Sequence, residues 1–167
     1  MKFAQKHLSL AIINATSFYD AGLAIKDTVK EGDPNVVKMF LIEVPATVNF
    51  CFAAELYLKV FISKFGLDFE KTHKLRNLFD ALPLCLQSVV QVYYGRISGA
   101  DPQSFMKNLD SVSNSFEKLR YFATSAFQDN HISVPFMFAY HFATALKELT
   151  MSFNKETAKL IESFKRG

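Results

Sequence analysis

The chain has 167 residues, of which half are hydrophobic and 18 are phenylalanine, and its formal net charge is +3. A chain of this length can fold without disulfides or a metal, and we predict a single domain over residues 1–167. The mild positive charge neither requires nor excludes nucleic acid, whereas the large apolar content predicts an exposed apolar interface and hence a homo-oligomer.

Apolar residues recur at spacings of three and four near the N-terminus, which predicts a helix over residues 3–30. Its apolar seam would consist of Ala4, Leu8, Ala11, Ala15, Phe18, Gly22, Ile25 and Val29. A Gly-Asp-Pro sequence at residues 32–34 ends this helix. A helical lead-in from Asn35 then reaches Pro45, which either kinks that helix or starts a new one.

Residues 46–65 are apolar on nearly every face, which predicts a central buried helix that ends at Gly66. Thr72 is the predicted N-cap of a third helix over residues 74–82. Pro83 breaks that helix, and a further piece continues to Tyr94. The stretch 95–102 is rich in glycine and proline and is predicted to be a loop.

A fourth long helix follows, and a last helix begins near Pro135. The apolar seam of the fourth would consist of Phe105, Leu109, Val112, Phe116, Leu119 and Ala126. Because no strand-like alternation persists, we predict an all-α fold, an up-and-down bundle of four long helices with one or two extra helices.

The cysteines do not predict a metal site, and the apolar stretches of the sequence do not predict a membrane span. Cys51 and Cys85 have apolar neighbours and no His or Cys at zinc-site spacing, so we predict buried free thiols, no metal and no cofactor. The apolar run at the N-terminus is short, and residues 39–62 are interrupted by charged and polar side chains. We therefore predict a cytoplasmic protein with no signal sequence and no membrane span.

Three polar residues stand out in the middle of the chain. Glu55 and Lys59 lie four residues apart in the predicted central helix, so they face the same side. An unpaired charge on a buried helix is costly, and we expect these two to pair with each other or with a neighbouring helix. They form either an ion pair at the edge of the core or part of a ligand pocket. His73 follows the predicted cap and is expected to be neutral and hydrogen-bonded, because a helix N-terminus disfavours a cation.

Arg120 lies on the apolar side of the predicted fourth helix, near Leu109 and Phe116. A guanidinium group keeps its proton, so it must meet a carboxylate, a carbonyl, a phosphate or a subunit boundary. Glu55 is one candidate partner. Arg120 is thus either a structural residue that pairs across the bundle or a residue that contacts an anion or RNA.

The remaining histidines and the motifs absent from the sequence give no support to most standard enzyme classes. His7 and His141 read as ordinary surface or core residues, and His131 lies in a predicted turn. The sequence has no glycine-rich phosphate loop, no HExxH, no GxSxG and no paired-carboxylate motif for a di-iron site.

The segment AAELYLKVFISKFGLDFEKTHKLRNLFDALP, residues 53–83, combines E-x-x-x-K, a glycine, a short loop and T-H-x-L-x-x-L-x-x-x-L-P. This pattern resembles the HEPN family of small helical bundles. The segment SFEKLRYFA, residues 115–123, looks like a later helix of that family, in which an Arg sits late in an aromatic-rich stretch. The resemblance spans roughly residues 40–127.

The resemblance implies an all-α bundle that dimerises along its long helices. Many members are metal-independent ribonucleases or belong to toxin–antitoxin and anti-phage systems. The active ones carry R-x4-6-H, in which the Arg would hold the phosphate and the His would transfer a proton. Here ten residues separate Arg120 from the next histidine, His131. Eleven positions of straight helix span about 16 Å, too far for joint action on one phosphate unless the chain reverses near residues 125–130.

The favoured hypothesis is a non-catalytic HEPN-like domain that binds a nucleotide, RNA or a protein partner such as a nucleotidyltransferase, in a toxin–antitoxin or defence system. Its ligand-binding residues would be Glu55, Lys59, His73 and Arg120. One alternative is a metal-independent endoribonuclease whose catalytic residues are Arg120 and His131. A second alternative is a helical scaffold or partner subunit. For both the non-catalytic domain and the ribonuclease, the resemblance implies a homodimer.

Overall fold

The computed structural model describes residues 5–28, 36–69, 71–120 and 135–153, with the backbone alone at residues 5–6, 36–41, 115, 117–118 and 120. Within these ranges the chain forms six α-helices and no strand. The helices are α1 (Gln5–Lys26), α2 (Val36–Lys64), α3 (Leu75–Asp80), α4 (Leu84–Ser98), α5 (Pro102–Arg120) and α6 (Phe136–Met151). The prediction of an all-α fold is confirmed.

Helix α1 packs along α2 through small residues. Ala11, Ala15 and Gly22 are buried, as the seam predicts. A Cβ atom at Gly22 would lie 2.8 Å from the ring of Phe50, so the absence of a side chain at this position lets the two helices approach closely. The prediction that Phe18 belongs to the buried seam is wrong: Phe18 is 37% exposed, and its neighbour is buried instead.

That neighbour is Tyr19, which is 6% exposed. Its hydroxyl lies 3.0 Å from the hydroxyl of Thr144 in α6. Phe18 stacks on Phe52 from the outside, with ring centroids 5.2 Å apart. Tyr19 is therefore buried because α6 provides both apolar contacts and a hydrogen-bond partner for its side chain. The sequence of α1 alone does not reveal this partner.

Helix α2 is the central element of the fold, as predicted. It continues through Pro45 without starting a new helix. Its second half is buried on almost all sides, with Tyr57, Phe61 and Ile62 fully enclosed. It ends in a Schellman motif, in which Gly66 has φ +73° and the Leu67 amide donates to the Ile62 carbonyl over 3.1 Å.

Two boundaries differ from the prediction in the middle of the chain. Helix α3 begins at Leu75, and the position before it is Lys74. Thr72 is therefore not the N-cap; its hydroxyl accepts a hydrogen bond from the Lys74 amide at 3.0 Å in the preceding turn. Helix α4 continues past Tyr94 to Ser98, so half of the predicted loop is helical. Gly99 ends α4 with φ +71° and donates its amide to the Gly95 carbonyl at 2.8 Å.

Helices α5 and α6 complete the core. The described members of the predicted α5 seam are all buried, namely Phe105, Leu109, Val112, Phe116 and Leu119. Ala126, the last predicted member, lies outside the described residues. Helix α6 begins directly after Pro135, as predicted. The ring of Phe105 contacts Phe138 and Phe142 of α6 at centroid distances of 5.7 and 5.6 Å, and this aromatic cluster joins the two helices.

Both cysteines are free thiols, with Cys51 fully buried and Cys85 half-buried. Two helical stretches, His7–Lys26 and Ile42–Lys64, are long and apolar enough to cross a membrane by length and composition. In the second of these stretches, 67% of the most apolar window is buried within the fold. Core helices of soluble proteins and N-terminal signal sequences pass the same test, so these stretches are weak evidence for a membrane.

Candidate functional site

Three of the four predicted ligand-binding residues meet where α2 leads into the following loop. Glu55 and Lys59 are one helical turn apart in α2, and His73 belongs to the loop between α2 and α3. The Schellman motif at Gly66 reverses the chain, and the loop returns alongside the last turns of α2. We call Glu55, Lys59 and His73 the α2 polar cluster.

Glu55 is the buried centre of this cluster. Its side chain is only 5% exposed, and Lys59 donates a hydrogen bond to its Oε1 over 2.6 Å. The predicted pairing of these two residues is confirmed. The Lys59 ammonium group also lies 5.5 Å from the centre of the Phe69 ring, so both an anion and an aromatic face stabilise it. Because both charges are largely withdrawn from water, each depends strongly on the other.

His73 connects the loop to the buried carboxylate. Its Nδ1 lies 3.0 Å from Oε1 and 3.1 Å from Oε2 of Glu55. An ionised carboxylate only accepts hydrogen bonds, so Nδ1 carries the proton and Nε2 is left for another partner. The His73 side chain is 49% exposed. Glu55 thus fixes the orientation of an imidazole ring whose other nitrogen faces away from the core.

The charge of Glu55 also acts on the core side of α2. Cys51 lies one helical turn before Glu55 and is completely buried. Burial raises the pKa of the Cys51 thiol, and the negative charge of Glu55 raises it further. The thiol is therefore neutral and unsuited to act as a nucleophile.

The loop next to the α2 polar cluster presents positive charge to solvent. Lys71 and Lys74 flank His73, and both are exposed. Arg76 is engaged elsewhere, with hydrogen bonds to Asp80 at 2.8 Å and Asp110 at 2.7 Å. These acidic partners hold its pKa above the usual value. Among the residues that the structure describes, Lys71 and Lys74 form no ion pair.

A cavity of about 420 Å³ lies next to the same loop. Asp68 and Asp80 line it together with Thr72 and Asn77. The Asp80 carboxylate already accepts the hydrogen bond from Arg76 described above.

The predicted catalytic pair cannot be placed in this site. Arg120 is the last residue of α5, and its side chain lies outside the described part of the chain. His131 lies within residues 121–134, which are outside it altogether. The described residues that pair with Glu55, the predicted partner of Arg120, are Lys59 and His73.

The other histidines differ from each other. His7 is exposed on α1, which is the first of the two environments left open by the sequence. His141 of α6 is half-buried and lines a cavity, a role that its sequence neighbours did not indicate. Within the described ranges, no group of three or more His, Cys, Asp or Glu side chains is arranged to hold a metal ion.

Comparison of the chain with models of known protein families, with curated proteins and with solved structures finds no match.

Proposed function

We propose that this chain is a single non-catalytic HEPN-like helical domain that binds a nucleotide, RNA or protein partner, and that a phosphate-bearing ligand is the one its geometry favours. The observation that carries the proposal is the α2 polar cluster. Buried Glu55 holds the His73 ring by Nδ1, and Lys71 and Lys74, two residues before and one residue after His73 in the same loop, are exposed. The two ammonium groups can donate hydrogen bonds and positive charge to phosphate oxygens, and Nε2 of the fixed imidazole can accept a hydrogen bond from a hydroxyl or amino group of the ligand.

The HEPN-like part of the proposal is supported by the residues that carry the resemblance. E-x-x-x-K supplies Glu55 and Lys59, and the T-H dipeptide supplies His73. These separate pieces of the motif meet in one hydrogen-bonded cluster. The resemblance also leads us to propose a homodimer and a role in a toxin–antitoxin or defence system. The two free thiols fit a reducing compartment, and we propose a cytoplasmic location.

The homodimer has some physical support on α1. Leu10 and Ile13 are 54% and 59% exposed, and they lie three residues apart on one side of the helix. A second copy of the chain would remove these side chains from water. Analytical ultracentrifugation at micromolar concentration would detect the dimer, and a monomer at all concentrations would contradict it.

RNA binding tests the main proposal. A fluorescently labelled single-stranded RNA and a labelled ATP analogue are titrated with the protein in low salt and chelator. We expect the Lys71→Ala/Lys74→Ala variant to bind at least about tenfold more weakly and with a salt slope lower by about 1–2. His73→Ala should also weaken binding. Lys107→Ala is the matched control, because Lys107 is exposed on α5, and it should change affinity little.

The same samples distinguish the alternatives. Cleavage of the RNA by the wild type, lost in both Arg120→Ala and His131→Ala, would support the ribonuclease. Absence of binding to both probes would contradict the proposal and favour a scaffold. An equal loss of affinity in Lys107→Ala and in the double variant would mean that the interaction is nonspecific charge attraction.

A further inference from the structure

A second cavity, of about 560 Å³, lies between α2, α4, α5 and α6. This volume is within the range of pockets that bind small organic molecules. Glu43 contributes from the first half of α2, twelve residues before Glu55, which corresponds to about 18 Å along the helix. The cavity is thus separate from the α2 polar cluster, and neither site depends on the other.

The walls of the cavity combine aromatic and polar groups. Phe136 and Phe138 of α6 supply apolar surface, and Phe138 is 5% exposed. Tyr94 of α4 is buried, and the Ser98 hydroxyl donates a hydrogen bond to the Tyr94 carbonyl at 2.8 Å and accepts one from the Ala100 amide at 3.2 Å. The polar wall is therefore held in place before any ligand enters, which reduces the cost of binding.

The charged groups that line the cavity indicate the charge of the ligand it would bind. Glu43 is half-buried and has no ion-pair partner among the residues that the structure describes. His141 also lines the cavity, and burial lowers the pKa of its imidazole. His141 is therefore neutral at neutral pH and accepts a hydrogen bond or packs against a ring. No described lysine or arginine lines the cavity.

We propose that this cavity binds a small organic cation, an amine carried on an aromatic body, whose ammonium group pairs with Glu43 and whose ring lies against Phe136 and Phe138. A partly buried carboxylate without a partner attracts a cation and repels a phosphate or carboxylate. Aromatic faces nearby add to the attraction for an ammonium group. The ligand class is thus opposite in charge to the one proposed for the loop at His73.

Three probes that share one indole ring and differ in charge test this assignment: tryptamine, tryptophol and indole-3-acetate. Binding to the full chain is measured by isothermal titration calorimetry at pH 7.0. We expect tryptamine to bind roughly tenfold more tightly than neutral tryptophol, and indole-3-acetate to bind most weakly. Glu43→Gln should weaken tryptamine to the level of tryptophol and leave tryptophol unchanged.

Two further variants keep the test decisive. Glu148→Gln removes an exposed carboxylate of the same helix as His141 but outside the cavity, and it should leave all three affinities unchanged. Ser111→Tyr places a ring at the exposed rim of the cavity and should abolish binding of both tryptamine and tryptophol. Unfolding curves of each variant verify the fold. The proposal is overturned if no probe binds at millimolar concentration, if indole-3-acetate binds as well as tryptamine, or if Glu43→Gln binds tryptamine normally.

Discussion

Buried hydroxyl groups join the helices at single residues. The Tyr57 hydroxyl of α2 lies 3.0 Å from the Thr16 hydroxyl of α1. The Tyr19–Thr144 contact joins α1 to α6 in the same way. Burial raises the pKa of both tyrosines, so the hydroxyls keep their protons at neutral pH. Each hydrogen bond offsets the cost of removing a polar atom from water.

Thr47 is the exception in the described core. It is completely buried, and its Oγ1 has no hydrogen-bond partner among the described residues. We predict that Thr47→Val raises the free energy of unfolding by about 1–2 kcal/mol, because valine has nearly the same shape and no polar atom to desolvate. Equilibrium unfolding in urea measures the change.

Thr150 provides the matched control. It is also buried, but its Oγ1 donates a hydrogen bond to the Leu146 carbonyl at 2.7 Å. Thr150→Val loses that bond and should be neutral or destabilising. If both variants were stabilised equally, the gain would come from apolar surface in general and not from the unpaired hydroxyl of Thr47.

At the scale of elements, the helix ends are set by single side chains and glycines. Asp101 begins α5: its Oδ1 accepts the amide hydrogens of Gln103 at 2.8 Å and Ser104 at 3.0 Å. Pro102 occupies the first helical position, where a missing amide hydrogen costs nothing. Gly66 and Gly99 end α2 and α4 in the left-handed region. These ends fix where each helix meets the core.

The cap at Asp101 gives a pH-dependent prediction. Hydrogen bonds from Ser104 and neighbouring amides lower the pKa of Asp101 below its ordinary value of 3.8. A carboxylate with a lowered pKa stabilises the fold above the ordinary pKa, and this contribution is lost as the pH falls through the lowered one. Asp101→Ala should therefore reduce Tm at pH 7, with a difference from the wild type that shrinks below pH 3.8.

Thermal unfolding followed by circular dichroism at a series of pH values measures this difference. Asp101→Asn is the control, because an amide oxygen still caps the helix but does not titrate. A Tm difference between Asp101→Ala and the wild type that stays constant down to pH 2 would contradict the role of the charge.

The contact between α1 and α2 gives a second prediction at this scale. Alanine favours a helix over glycine by about 1 kcal/mol, but a Cβ at Gly22 would press on the buried Phe50 ring. We expect Gly22→Ala to lower the free energy of unfolding by about 1–2 kcal/mol, because overpacking exceeds the propensity gain. Urea unfolding measures the change. In the Phe50→Leu background, Gly22→Ala should lower the free energy of unfolding by less than it does in the wild type, because the smaller side chain leaves room for the added Cβ. A more stable Gly22→Ala would mean that α1 lies farther from α2.

For the whole molecule, α2 is the helix around which the others pack. It contacts α1, α3, α5 and α6, and its buried side chains form the middle of the hydrophobic core. The sites proposed for the two ligand classes lie at different positions along this one helix. Glu43 belongs to the cavity, where it would pair with a cation, and Glu55 belongs to the α2 polar cluster, where it holds His73.

The two thiols report on the burial of α2 in the intact molecule. We predict that a water-soluble thiol reagent reacts with Cys85 in the native protein and with Cys51 only after unfolding, because Cys51 is inaccessible and its pKa is raised. The Cys85→Ser variant isolates the remaining thiol. Rapid reaction of Cys51 in the native Cys85→Ser protein would show that α2 is not at the centre of the fold.

The sequence by itself determined the all-α class, the central position of α2 and the placement of Glu55 and Lys59 on the same side of that helix. These features depend on local periodicity, on the apolar character of α2 and on the four-residue spacing of two charges, all of which act within one helix. Stop signals such as Gly66 were also readable, because few residues other than glycine adopt a positive φ at low cost.

Only the tertiary structure decided the contacts between distant segments. His73 reaches Glu55 because the loop after Gly66 folds back, and Tyr19 replaces Phe18 in the core because Thr144 lies opposite. The cavity with Glu43 and His141 brings together residues nearly a hundred positions apart, each unremarkable in its own surroundings. Sequence patterns reveal which side of a helix is apolar, but the partner that covers that side is set by the packing of all six described helices.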